Sequence, residues 1–123
     1  MDMAVIVKDA PQGCAIVQIC GELDIATTPD LRERLLEVLG DRPTPSRLIL
    51  DLSKLEFMDS SGVAVLINTE RRARLLGSTV VLVALQRPVA RVLQVCGVDR
   101  YFPVFDDVSS AAIGPQADLP QTL

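Results

Sequence analysis

The chain has 123 residues, of which 49% are hydrophobic, and it carries a net charge of -4 with no histidine. That length suits one domain whose core is large enough to need neither disulfides nor a structural metal. The negative charge argues against direct binding to nucleic acid or an anionic membrane, because both need a basic face to displace counterions.

Residues 3–7 (Met3-Ala4-Val5-Ile6-Val7) read as a first strand, and Pro11-Gln12-Gly13 as a turn. A second strand is predicted over 14–20, ending at Gly21, and the short connection makes the pair an antiparallel hairpin. After Gly21-Glu22-Leu23-Asp24, the run Thr27-Thr28-Pro29 reads as a helix start, with Pro29 at the first helical position and Asp30 in the first turn. Leu31, Leu35, Leu36, Val38 and Leu39 recur at helical spacing and predict one buried stripe, ended by Gly40, Pro43 and Pro45. The nearly continuous apolar run 48–52 predicts a central strand covered on both faces. Asp59-Ser60-Ser61-Gly62 then opens a second helix. It is apolar on most sides over 63–67, carries Arg71, Arg72 and Arg74 near its end, and stops at Gly77. Those arginines form the only basic cluster and read as a solvated helix face.

A buried strand is predicted over 79–85, and a helix from Pro88 to Gly97 carrying Val89, Val92, Leu93 and Val95. A short strand over 101–105 and a helical turn over 107–113 complete the domain, 1–113. The tail 114–123 holds two prolines and little to bury, and is predicted to be disordered. Strands alternating with helices give an α/β domain. A mostly parallel central β-sheet of about five strands follows, with an N-terminal antiparallel hairpin and about four α-helices. In such a sheet, sites form beyond the carboxyl ends of strands, which singles out the predicted loops 21–28 and 55–62.

Catalysis is poorly provided for. The commonest general base and metal ligand is missing, and neither a P-loop nor a GxGxxG fingerprint is present. Asp24, Asp51, Glu56 and Asp59 fall toward one end of the sheet, a set that could hold Mg2+ or act as an acid/base pair. Asp59 beside Ser and Gly at a helix start reads equally as a cap. No catalytic residue, metal ligand or cofactor is assigned, and the chain is not expected to be an enzyme. Cys14, Cys20 and Cys96 are odd in number, without CxxC spacing, and read as small hydrophobes in a reducing cytosol. The start MDMAVIVKDAP lacks the basic region and long apolar run of a signal peptide, and apolar runs such as 80–85 are too short to span a bilayer. A soluble, cytoplasmic protein without a membrane partner is expected.

The junction at 59–62 also suits a switch. A kinase could reach the Ser60 hydroxyl there, and a phosphate adds about -1.5 to -2 charges with three acceptor oxygens. A helix start tolerates that charge, whereas a partner packed over it does not.

Gly21-Glu22-Leu23-Asp24, a helix, Leu48-Ile49-Leu50-Asp51-Leu52, then Phe57-Met58-Asp59-Ser60-Ser61-Gly62 resembles the STAS domain of bacterial anti-sigma factor antagonists (anti-anti-sigma factors). The resemblance runs over about 5–112 in the same element order. It implies the STAS fold and an unphosphorylated antagonist that binds an anti-sigma factor, usually a serine kinase with an ATPase-like fold, so releasing a sigma factor. It implies further that phosphorylation of Ser60 breaks the complex and that a PP2C-type phosphatase reverses it. Asp24 and Asp59 would shape the acceptor loop and contact the partner, while Ser61 and Gly62 begin the helix behind it. That helix and the loop 21–28 would form the docking surface. Two other readings stay open: a constitutive STAS interaction module, such as an accessory subunit of a lipid-transport complex, and an antagonist regulated by an intermolecular disulfide of Cys96 or Cys14.

Overall fold

In the computed structural model, residues 2–10, 13–41 and 43–113 are described, and the tail 114–123 lies outside them. Strand β1 (Met3–Asp9) pairs antiparallel with β2 (Cys14–Leu23), and helix α1 (Thr28–Gly40) follows. Then come β3 (Arg47–Met58), α2 (Ser60–Leu75), β4 (Thr79–Val83), α3 (Arg87–Val95), β5 (Val104–Phe105) and α4 (Val108–Ile113). The sheet order is β1-β2-β3-β4-β5, and every pairing after the hairpin is parallel.

Alternation along the strands divides the core in two. Ala15, Val17 and Ile19 of β2, Leu48, Leu50 and Leu52 of β3, and Val80 and Leu82 of β4 face the main core. α1 covers them with Leu31, Leu35, Val38 and Leu39, α2 with Val63, Val65 and Leu66, and α3 with Val89 and Leu93. Two residues of the predicted helical stripes escape this burial: Leu36 is 43% exposed and Val95 80%. Cys14, Ile49, Val81 and Val83 point to the other face, where α4 lays Ala111 and Ala112 over them. The basic run near the end of α2 is solvated at Arg71 and Arg72, while Arg74 pairs with Glu70 one turn back.

The strands flanking the site are longer than their sequences suggest. β2 continues past Gly21 to Leu23, and β3 past Leu52 to Met58, so the first half of the predicted loop 55–62 is strand. The register against β2 slips twice, between Gln18 and Cys20 and between Gly21 and Glu22, each time adding a residue to β3. Burial therefore steps by three, through Leu52, Leu55 and Met58. β4 ends earlier, its last pair with β3 being Asp51–Val83. Ala84 then takes a left-handed conformation at φ 58°, which costs a non-glycine residue about 1 kcal/mol, and turns the chain out of the sheet. Beyond that point the Gln86 amide donates to the Ser53 carbonyl at 2.6 Å, where a longer β4 would have paired.

A helix as short as α4 (six residues) cannot hold itself. Arg47, only 5% exposed at the start of β3, donates from Nη1 to the Ala111 carbonyl and ties α4 down. Replacing Arg47 with Met retains bulk and deletes this donor. The expected outcome is a loss of about 2 kcal/mol, read as a lower urea midpoint. A midpoint equal to wild type would mean that apolar contacts alone hold α4.

Candidate functional site

The site lies where β2 and β3 end side by side. Leu23 and Met58 are the last registered pair, and the Asp59 N–H donates to the Leu23 carbonyl at 3.1 Å, carrying the pairing one residue further. Two acidic turns leave from this point, one at Asp24 and one at Asp59.

Asp24 is spent on its own turn. Its Oδ1 accepts from the Ala26 N–H at 2.9 Å and the Thr27 N–H at 3.1 Å. The buried Thr27 hydroxyl donates to the Glu22 carbonyl at 2.9 Å and accepts from the Asp24 N–H at 3.0 Å. This fold-back stops β2 and starts α1 at the predicted Thr-Thr-Pro run. It leaves Ile25 at the tip, 81% exposed. Upstream, Gly21 has φ 96°, and a Cβ there would lie 2.3 Å from the Asp2 carbonyl oxygen, so glycine is required for β1 to approach.

Asp59 is the N-cap of α2, with extended backbone and a side chain accepting from the Ser61 N–H at 2.9 Å. The same oxygen accepts from the Ser61 hydroxyl. Ser61 is half-buried and held; Ser60 is exposed, and its hydroxyl has no hydrogen-bond partner among the described residues. Gly62 is buried where a Cβ would meet the Met58 Cγ at 2.5 Å and the Leu23 Cβ at 3.1 Å, so its lack of a side chain lets α2 rest on the last strand pair. The Ser61 hydroxyl, opposed by burial and helped by the N–H groups of Ser61 and Gly62, holds the Asp59 carboxyl below the usual carboxylate range.

Asp24, Asp59, Ser60, Ser61 and Gly62 are thus brought to one place. Asp51 is not: it sits within β3, accepting from the Gln18 amide at 3.1 Å and the Ser53 N–H at 3.0 Å. Among the described residues no three of His, Cys, Asp and Glu gather as a metal site. One feature of the site has no clear signal in the sequence. Because β4 stops short, a mainly apolar groove of about 360 Å³ opens between the end of β3 and α3, lined by Phe57, Met58, Pro88, Val92, Val95 and Cys96 together with Arg91. Phe57 is 41% exposed there. The strand end adjoining the groove and the outward valine of α3 both arise from positions where periodicity misleads. Of the cysteines considered for a disulfide, Cys14 is buried and Cys96 exposed; both are free thiols. No helix among the described residues is long and apolar enough to cross a membrane.

The STAS domain family model matches residues 5–111. The anti-sigma-F factor antagonist RsfB of Mycobacterium tuberculosis is 34% identical over 104 residues, covering 83% of this chain and 81% of that protein. The anti-sigma F factor antagonist of Paenibacillus polymyxa is 30% identical over 100 residues, covering 81% and 85%. In three dimensions the chain is similar to an anti-sigma factor antagonist from Mycobacterium paratuberculosis, with a TM-score of 0.79, 28% identity and coverage of 89% and 91%.

Two outcomes follow from the cap. A group with a lowered folded pKa stabilises the fold above its unfolded value, about 3.9 for Asp, and that contribution is lost as pH falls through the folded value. Asp59→Asn keeps a capping oxygen and removes the charge, so it should be less stable than wild type at pH 7, with the gap closing below about pH 4. Thermal melts across pH 2 to 7, on the order of one per pH unit, check this; a gap independent of pH would sink it. Gly62→Ala gains up to about 1 kcal/mol in helix propensity and loses about 1–3 kcal/mol to overpacking against Met58. A net loss in urea denaturation is expected.

Proposed function

We propose that this chain, which belongs to the STAS domain family, acts as an anti-sigma factor antagonist. Unphosphorylated, it binds an anti-sigma factor and so releases a sigma factor; phosphorylated at Ser60, it lets go. It is a regulatory binding protein and not an enzyme. The relatives named above support the general role. The observation that carries the choice of residue is the contrast between two neighbouring serines. The Ser61 hydroxyl is committed to Asp59, whereas Ser60 presents an exposed, uncommitted hydroxyl at the first residue of α2.

The same geometry supports a mechanism. Asp59 stays ionised and already occupies the Ser61 N–H, and the Gly62 N–H donates to the Asp59 carbonyl at 3.1 Å. The helix start therefore has little left to neutralise a phosphate of about -1.5 to -2 charges, although the helix dipole eases its accommodation. The charge stays at the surface beside an existing carboxylate, with exposed apolar Phe57 three residues before Ser60 and Ile25 in the turn that leaves the neighbouring strand end. A partner that covers these apolar groups must desolvate the dianion, and any acid it brings is repelled. The fold is spared and the interface is not. In this reading the modifying enzyme is the anti-sigma factor itself, a serine kinase, and a PP2C-type phosphatase resets the switch. Asp24 and Asp59 shape the contact, with Ser61 and Gly62 supporting it.

Incubated with host lysate, ATP and Mg2+, the wild-type protein should take up one phosphate that peptide mass mapping places on Ser60, with none on Ser60→Ala. In titration against the anti-sigma factor, Ser60→Ala should match wild type, and Ser60→Asp should bind about tenfold more weakly. Equal affinity for wild type and the Asp variant, or no phosphate in a lysate that phosphorylates other proteins, would remove Ser60 as the switch.

A further inference from the structure

β1 is one edge of the sheet, and among the described residues no strand pairs with its outer side. The Glu22 N–H donates to the Asp2 carbonyl at 3.0 Å and the Ala10 N–H to the Cys14 carbonyl at 3.2 Å, so the even-numbered residues of β1 turn their main-chain groups toward β2. By alternation Met3, Val5 and Val7 direct their N–H and C=O groups outward. This edge has few of the usual protections. It is seven residues long, its register with β2 runs unbroken, and it contains no proline. Ile6 and Val7 are 43% and 40% exposed.

We propose that this edge pairs with the same edge of a second copy, antiparallel and centred on Val5. A two-fold axis through Val5 sets Ala4 opposite Ile6, Met3 opposite Val7 and Asp2 opposite Lys8 of the second copy. Main-chain bonds are then exchanged at Val5–Val5 and at both Met3–Val7 pairs, the residues whose groups point outward. Apolar side chains meet apolar ones on both faces, and each strand end closes with an opposite-charge pair. Centring the axis one residue earlier or later places Asp2 opposite Ile6 or Ala10 and leaves Lys8 without an acid, so sequence and edge polarity select a single register. Asp30, Glu33 and Glu37, with Arg34, flank Met3 and Val5 from α1. Their repulsion across the seam keeps the dimer weak and reversible. The pairing uses neither Ser60 nor the turns at the ends of β2 and β3, so it stands apart from the phosphorylation reading.

Sedimentation equilibrium of the wild-type chain, carried to about millimolar concentration, should show a monomer–dimer equilibrium. Lys8→Asp and Asp2→Lys each create two like-charge pairs and should weaken the dimer about tenfold. The doubly exchanged variant, Asp2→Lys with Lys8→Asp, should recover wild-type association to within about threefold. Both positions are exposed, and Asp2 contacts β2 through its main chain, so the variants should keep the wild-type melting temperature. A monomer at every concentration overturns the proposal. So does a dimer indifferent to the single substitutions, or a double exchange that fails to restore association.

Discussion

Everything that distinguishes this surface depends on one main-chain contact, the Asp59 N–H donating to the Leu23 carbonyl at the ends of β2 and β3. It joins two segments 36 residues apart in sequence, and from it the acidic turn at Asp24 and the cap at Asp59 diverge. The contact is tight because of what is missing around it. Gly62 has no side chain to push α2 off Met58 and Leu23, and Gly21 lets β1 come close behind. Both set the distance at which the chemically active groups stand.

The electrostatics follow from the same local economy. A carboxylate that caps a helix accepts stronger hydrogen bonds while ionised, so the cap favours its negative charge at physiological pH. Under the function proposed above, phosphate on Ser60 would intensify an existing sign and not reverse it. The response is then governed by whatever is brought against the surface. The fold, anchored by an aliphatic core below it, need not change.

The fold was largely legible because helical spacing is strong in α1, and because β2, the first half of β3 and β4 are strand-length apolar runs bounded by turn residues or helix starts. The junction at 59–62 was legible for a local reason, since cap chemistry needs those residue types. The second half of β3 was not. Its buried residues step by three, a spacing that matches neither a strand nor a helix, and only the partner strand explains the two added residues. Val95 and Leu36 fit helical stripes yet are exposed, because periodicity reports a direction and not what lies in that direction. Asp51 was grouped with the site by its place in the chain, whereas strand register puts it with Gln18. Ser60 was singled out over Ser61 through the family resemblance, and the hydrogen bond from Ser61 to Asp59 adds a physical reason that spacing alone cannot supply.

The early end of β4 has a consequence for how such a protein can diversify. The groove beside Phe57 exists because the chain leaves the sheet at Ala84 and returns as α3, with Gln86 filling one vacated bond. The connection 84–86 and the outer face of α3 therefore control the shape of that hollow, while 59–62 control the cap and its hydroxyl. These are separate stretches of sequence, and changes in one need not disturb the other. Under the function proposed above, the hollow and the switch could thus drift independently, so that copies of one gene would change the shape of this surface while retaining the same on-off chemistry.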